Sequence, residues 1–378
     1  MKAIELFSGC GGFSLGFRWA GINVLQAYEI DQWAGDTYAE NHPETELIRG
    51  DIRSIPDKNW TDLSSKGIDI VFGGPPCQGF SVSGKRQKGE IIESTNLVSE
   101  FMRIVNLVKP KYFVLENVVG FKSGLVWKGK HALDFVLEEA KKSGYCVDYS
   151  TLEAVDFGVP SIRSRVFVIG SINHVKKIYC NPIAGQSNQL ISDKNVQVSC
   201  LDAISDLPSI AAKEGTDGFQ PYGKPPENDY QKFMRVDSEG VYNHEAMRHT
   251  DRLISRFRQI EQGSSAYRKF SGKDSVTVYK SNNQRLYGHK PSLCITANFQ
   301  SNFIHPICDR NLTAREAARL MSFPDNYIFK GKRTLPSRGV LLASGRANQN
   351  HLSQYNQIGN AVPPLLSKAI GLHILDNC

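Results

Sequence analysis

Short apolar runs alternate with amphipathic stretches through the first 170 residues or so. The runs fall at residues 2–7, 22–28, 47–48, 68–72, 112–115, 145–154 and 166–170, and each reads as a strand. Between them, 32–40, about 96–108 and about 130–143 read as helices. That alternation predicts an α/β fold: a doubly wound, mainly parallel sheet with a smaller irregular second domain. The rhythm fails after about residue 180, and 181–230 is rich in Pro, Gly, Ser and Asn, as in a linker or an irregular domain. Further on, 247–262 reads as a helix with an apolar stripe of Leu253, Ile254, Phe257 and Ile260. Arg248, Arg252 and Arg256 recur every fourth residue on another face of it. Strand-like runs follow at 275–279 and 293–297. Thr313-Ala314-Arg315-Glu316 has capping-box form and opens a helix to about Met321. Pro363 and Pro364 precede a last helix, 365–375, for which Asn360 is a candidate cap.

Composition narrows the class. The 378 residues are enough for a full core, and no stretch reaches the roughly 18 apolar residues that a membrane span needs. The chain enters a strand-like run at once, with no room for a signal peptide. Its eight cysteines include no Cys-x-x-Cys pair, which argues against a zinc site or a disulfide scaffold and predicts a cytoplasmic, reducing setting. The net charge of +7 is concentrated. Residues 231–290 hold twelve Lys or Arg against six Asp or Glu, a pattern that suits a nucleic-acid-facing segment or a solvated basic face.

Candidate chemistry gathers where strands end. Gly73-Gly74-Pro75-Pro76-Cys77 follows an apolar run, and the two prolines hold Cys77 rigidly just past a strand's carboxyl end. Ligands of open α/β sheets bind on that edge, so Cys77 is a candidate nucleophile; a small buried hydrophobe is the alternative. Ser8 to Gly16 is glycine-rich without the Gly-x-Gly-x-x-Gly spacing, and suits a nucleoside-type cofactor. Glu29, about 20 residues further on, suits ribose hydroxyls, whereas Asp31 suits a helix cap. Asp51 and Glu116 also follow strands. Residues 81–89 form a basic, glycine-bearing loop. Arg163 and Arg165, two apart on an extended segment, point to one face.

Taken together, these motifs resemble the cytosine-5 DNA methyltransferases of bacterial restriction–modification systems nearly end to end. Ile4 to Gly12 resembles the family's S-adenosylmethionine loop, Gly74-Pro75-Pro76-Cys77-Gln78 its nucleophile motif, and Glu116-Asn117-Val118 its Glu-Asn-Val motif. Arg163-Ser164-Arg165, Leu312-Thr313-x-Arg315-Glu316 and Gln357-x-Gly359-Asn360-x-Val362 follow in family order. Two positions depart: Glu5 stands where Asp is usual, and Ser161 where Gln is common. The resemblance implies a catalytic and cofactor-binding domain of 1–180 plus 345–378, and a target-recognition domain of 181–344. It implies that Cys77 adds to C6 of a flipped cytosine while Glu116, Arg163 and Arg165 serve the ring. Phe7, Gly9, Gly11, Glu29, Asp51, Ile52, Leu97, Asn360 and Val362 would hold S-adenosylmethionine. Ser81, Lys85, Arg86, Arg248, Arg252 and Arg256 would meet duplex DNA. A monomer, with a cognate restriction endonuclease as functional partner, is expected. Three rival readings are weighed. A tRNA methyltransferase would carry a Cys-Phe-Thr motif that this chain lacks. A silent subunit would have lost the cysteine or the loop. An amino-methylating enzyme needs Asn or Asp before Pro-Pro, where Gly74 stands.

Overall fold

The computed structural model describes residues 1–76, 88–123, 126–127, 130–173, 197–270, 282–336, 338–345 and 351–377. Cys77, Ser81, Lys85, Arg86 and the run at 275–279 lie outside the described residues. The chain forms two compact units: Met1–Glu153 with Ser164–Asn181 and Ser367–Cys378, and Ala154–Arg163 with Pro182–Leu366. Compactness divides the chain at 154–163 and before Ser367, whereas the expected division by function falls at 180 and 345.

The first unit is built on seven strands: β1 (Lys2–Leu6), β2 (Asn23–Glu29), β3 (Glu46–Arg49), β4 (Ile70–Gly73), β5 (Tyr112–Val118), β8 (Cys146–Glu153) and β9 (Ser164–Ser171); the two-residue strands β6 (Val126–Trp127) and β7 (Lys130–His131) pair apart from them. Their order is β3-β2-β1-β4-β5-β9-β8. Strands β1 to β5 pair parallel, and β9 is antiparallel to both β5 and β8. The doubly wound, mainly parallel sheet read from the sequence is therefore present. Strand order runs one way from β1 to β3 and the other way from β4 to β5, so the switch point lies between β1 and β4. Register aligns the ends there: Leu6 pairs with Gly73, and Gly73 with Leu115.

Helices α1 (Gly12–Trp19), α2 (Gln32–Asn41), α3 (Asp57–Ser65), α4 (Lys88–Val108) and α5 (Ala132–Lys142) flank the sheet. Strand β4 is buried throughout, as strands covered on both faces are. Its Phe72 ring meets Phe13 and Phe17 of α1 at 4.9 and 4.3 Å. Val71 belongs to the opposite core, with Trp60, Phe101, Val105, Phe113 and Val136. Gly73 is required where β4 closes on β1, since a Cβ there would lie 2.1 Å from the Leu6 carbonyl oxygen. Gly73→Ala is expected to cost about 3 kcal/mol of stability, the scale of an overpacked core; urea unfolding checks it.

The second unit carries short helices: α6 (Cys200–Ile204), α7 (Asp229–Met234), α8 (Asp251–Phe257), α9 (Ala266–Phe270), α10 (Ala314–Leu320), α11 (Arg338–Ala343), α12 (Gln354–Asn360) and the start of α13 (Pro364–Leu375). Thr250 Oγ1 accepts the Leu253 N–H and so starts α8 at Asp251, four residues later than expected, which leaves Arg248 ahead of the helix. Residues 293–297 are not a strand; Ser292 makes an isolated bridge to Ser161. Asn360 ends α12 and does not cap α13. Strand β5 runs through Glu116 to Val118, beyond the expected Leu115.

Buried arginines hold this irregular unit together. The expected capping box of Thr313 and Glu316 forms, and Glu316 is bound twice by Arg310, at 2.7 and 2.8 Å. Arg315 donates to the carbonyls of Tyr242 and Pro324, and Arg319 bonds Asp325 and Asp206. Each guanidinium is buried yet supplied with acceptors, the condition for a tolerable buried charge. Burial pushes the Glu316 pKa up, but Arg310 and His305 hold it well below the usual carboxylate range. His305 is pushed down to about 4, chiefly by burial. Its Nδ1 accepts the N–H groups of Ile307 and Cys308, so the neutral ring carries its proton on Nε2, facing Glu316. Both groups are depressed on folding. Their stabilisation is thus complete above the unfolded pKa values and is lost as pH falls through the folded ones. Unfolding midpoints in urea are expected to drop below pH ~6.5, as unfolded histidine protonates, and more steeply below ~4.3. Glu316→Gln should remove the lower part of that fall.

Candidate functional site

The loop after β1 turns on three left-handed residues, Phe7 (φ 57), Gly9 (φ 54) and Gly11 (φ 87). For Phe7 that conformation costs about 1–2 kcal/mol, strain of the kind found at ligand sites. A Cβ on Gly9 would meet nothing within 4 Å, so its backbone borders open space. Glu29, at the end of β2, accepts the Gly9 N–H at 2.7 Å on one oxygen and the Asp31 N–H at 2.7 Å on the other. Each oxygen keeps acceptor capacity, which suits a ligand's pair of hydroxyls. Burial raises the Glu29 pKa. Asp31 instead caps α2 through Ala34 N–H, the role weighed against Glu29 in the sequence.

Asp51 is engaged by Arg53, whose side chain bonds both carboxylate oxygens and holds the pKa below the usual range. Ile52 is buried, and Leu97 of α4 is half-buried.

On the other side of the switch point, Glu116 Oε1 pairs with Arg165 Nε at 3.0 Å. The register explains the meeting: β5 and β9 are antiparallel, with Val118 opposite Arg165. Gly74 leaves room for the carboxylate, since a Cβ there would lie 2.9 Å from Glu116 Oε2. Gly74→Ala is expected to displace Glu116 and lower turnover about tenfold or more, with little change in melting temperature; single-turnover kinetics beside a thermal melt check it. Asn117 Nδ2 donates to the Pro75 carbonyl at 3.2 Å, which ties β5 to the residues leading into Cys77. Asn117 and Gly74 were not singled out as site residues, though both lie inside quoted motifs and small or amide residues flanking an acid were the available signal.

The two arginines part. Arg163 belongs to the second unit, almost wholly buried, and donates to the carbonyls of Ile295, Gly359 and Ala361 at 2.7, 3.0 and 3.0 Å. It therefore braces the backbone on both sides of exposed Asn360, close to buried Val362. Arg248 and Arg252 are exposed, and Arg256 is half-buried with its guanidinium 5.7 Å from the Phe270 ring centre.

The sheet edge thus offers a strained glycine-bearing loop with a carboxylate for hydroxyls, and a carboxylate–guanidinium pair beside the approach to a cysteine. Comparison with known proteins identifies the family. The profile of the family described as C-5 cytosine-specific DNA methylase matches residues 1–376. The type II methyltransferase M.DdeI of Desulfomicrobium norvegicum is 44% identical over 384 residues, covering 99% of this chain and 88% of that protein. M1.HphI of Haemophilus parahaemolyticus, also a type II methyltransferase, is 33% identical and covers 98% and 86%. A candidate DNA modification methyltransferase encoded within an E. coli prophage has a crystal structure that superposes with TM-score 0.71 at 25% identity, covering 100% of this chain and 99% of that one. The chain belongs to the C-5 cytosine-specific DNA methylase family, enzymes that methylate cytosine in DNA with S-adenosylmethionine as methyl donor.

Proposed function

We propose that the protein methylates C5 of cytosine within one short duplex DNA sequence, through a covalent bond from Cys77 to C6 of a flipped-out base. The observation that carries this reading is the Glu116–Arg165 pair, tied through Asn117 and Pro75 to the segment that leads into Cys77. Cytosine C5 is a weak nucleophile because the ring is electron-poor. The Cys77 thiolate adds to C6, and the electrons of the C5–C6 double bond move into the ring. Glu116, protonated, supplies the hydrogen bond at N3 that stabilises this charge. Arg165 holds O2 of the ring. Arg165 pairs with Glu116 at 3.0 Å, so base entry must redistribute both side chains. Bound S-adenosylmethionine supplies an electrophilic methyl group to C5. Loss of the C5 proton to a base then restores the double bond and expels Cys77.

Phe7, Gly9, Gly11, Glu29, Asp51, Ile52 and Leu97 line the cofactor's place in the first unit, with Glu29 on the ribose hydroxyls; Asn360 and Val362 keep the cofactor role that the family resemblance implies. A base inside a duplex cannot reach the cysteine, which requires flipping. Ser81, Lys85 and Arg86 contact the DNA, and residues 181–344, with Arg248, Arg252 and Arg256, supply phosphate and base contacts. Residues 1–180 and 345–378 do the chemistry. Arg163 acts by positioning the Asn360 segment. The enzyme works as a cytoplasmic monomer on the bacterial nucleoid and protects DNA from a cognate restriction endonuclease, the setting that the type II relatives suggest. Transfer of labelled methyl to unmethylated duplex DNA, with base-resolution mapping, tests it. Label at one recurring short sequence is expected. Label on tRNA alone would move the substrate, and label on neither would leave a DNA-binding subunit.

A further inference from the structure

The turn from Leu286 to Ser292 is held at its even-numbered residues by the second unit. Leu286 N–H donates to the Ile304 carbonyl at 3.2 Å, Gly288 N–H to Gln262 Oε1 at 2.9 Å, and Ser292 N–H to the Pro160 carbonyl at 2.9 Å. The carbonyls of Gly288 and Lys290 accept the Leu201 and Cys200 N–H groups, both at 2.9 Å. Those donors open α6, where a helix leaves its N–H groups without helical partners. Gly288 is required, since a Cβ there would lie 2.6 Å from Leu201 Cδ1. The backbone is therefore fixed, and it shows three side chains to solvent: Tyr287, His289 and Lys290.

These three are ordered among themselves. The Tyr287 ring, 42% exposed, lies against Gly263, where a Cβ would come within 1.9 Å of its Cζ. The Lys290 ammonium stands 4.7 Å from the centre of that ring, and the His289 ring meets it edge-on at 5.8 Å. Lys213, Lys224 and Lys232 of the same unit pair with Asp251, Glu227 and Asp229. Lys290 pairs with no carboxylate among the described residues. A lysine is a hydrated charge on a flexible stem, and it loses rotamer freedom when it grips an anion. A ring beneath the ammonium removes part of that loss beforehand. Unlike a carboxylate, the ring leaves the charge uncancelled.

We propose that Lys290, held ready over Tyr287, grips one phosphate of the DNA backbone. Its place in the chain suits that role. Ile295 follows five residues later, a reach of at most ~18 Å. The Ile295 carbonyl shares the Arg163 guanidinium with those of Gly359 and Ala361, on either side of Asn360. Along one DNA strand that reach is about five base-pair steps, so the phosphate belongs to the neighbourhood of the target base. The contact carries no sequence preference, because a phosphate is the same at every step. It rests on reading the second unit as the part that meets DNA.

Equilibrium binding of the full chain to a mixed-sequence duplex, with S-adenosylhomocysteine present and salt varied from ~50 to ~200 mM, tests it. Lys290→Ala should weaken binding about tenfold at the low end, the scale of a hydrogen bond to a charged group. It should also make the fall of log affinity with log salt shallower by about 0.9, the contribution of one phosphate. Lys290→Arg should keep the wild-type slope. Tyr287→Ala should weaken binding about threefold, the scale of an exposed cation–π contact, but not when Lys290 is already alanine. Tyr287→Phe, which keeps the ring, should bind within about twofold of wild type. An unchanged slope in Lys290→Ala would overturn the phosphate contact, and that slope decides even if Tyr287→Ala melts early. An equal loss from Tyr287→Ala in both backgrounds would overturn the pairing. A wild type with no affinity for duplex DNA would sink the DNA reading itself, whereas normal wild-type binding matched by Lys290→Ala would sink only this contact.

Discussion

Cys77→Ser is expected to abolish methyl transfer, with a loss on the order of 10^4-fold or more, the scale on which removal of a covalent nucleophile acts. The reason is ionisation: an alkoxide is not available near neutral pH, whereas a thiolate is, and the electron-poor ring needs a full anion to add at C6. Pro75 and Pro76 restrict the backbone ahead of residue 77, and Asn117 holds the Pro75 carbonyl; the serine variant leaves that segment unchanged and alters only the nucleophile. Folding and S-adenosylhomocysteine binding should stay near wild type, because the proposed cofactor contacts come from other loops. A single-turnover assay with labelled cofactor decides; near-normal turnover by the serine variant would rule out covalent catalysis through this residue.

Glu116→Gln carries the second-largest effect, a fall of ~10^2 to 10^4 in the methyl-transfer rate. The amide can fill the same space beside Gly74 and can offer an N–H toward N3, but it cannot deliver a proton. It also removes the partner of Arg165, whose side chain is 13% exposed, so a modest stability loss of about 1 kcal/mol accompanies it. Rate and melting temperature must be read together. If the rate fell only in proportion to the folded fraction, Glu116 would be a structural partner of Arg165 and nothing more.

The sheet was legible in the sequence because parallel strands covered on both faces leave short apolar runs between amphipathic stretches, as at Ile70–Gly73 and Tyr112–Val118. The edge that carries the site was legible for the same reason, since glycines, prolines and acids cluster where such runs stop. The partners of the site were not. Arg163 and Arg165 look equivalent two residues apart, yet one braces backbone carbonyls in the second unit and the other meets Glu116; only tertiary acceptors separate them. Arg310, Arg315 and Arg319 are buried; Glu316 and Asp325 stand six residues from Arg310 and Arg319, but nothing in the sequence marks those pairs as facing inward rather than solvent. Helix α12 was missed although Ser353 and Asn356 form a capping box, because Asn in place of Glu is a weak signal. The helix expected over 247–262 was overextended because its apolar stripe continues past Phe257, where the α-helix gives way to tighter turns.

The contact between α1 and α13 bears on the order of folding. Ser367 Oγ of α13 bonds the carbonyls of Gly12 and Phe13 at the start of α1, and Gly371 packs so near that a Cβ would lie 2.7 Å from Ala20 Cβ. Ser367 and Gly12 stand 355 residues apart in sequence, so the floor beneath α1 closes only through a contact of very long chain separation. Loop-closure entropy opposes such a contact until the strands between have paired. Docking of α13 should therefore come late in refolding, after the sheet that α1 covers.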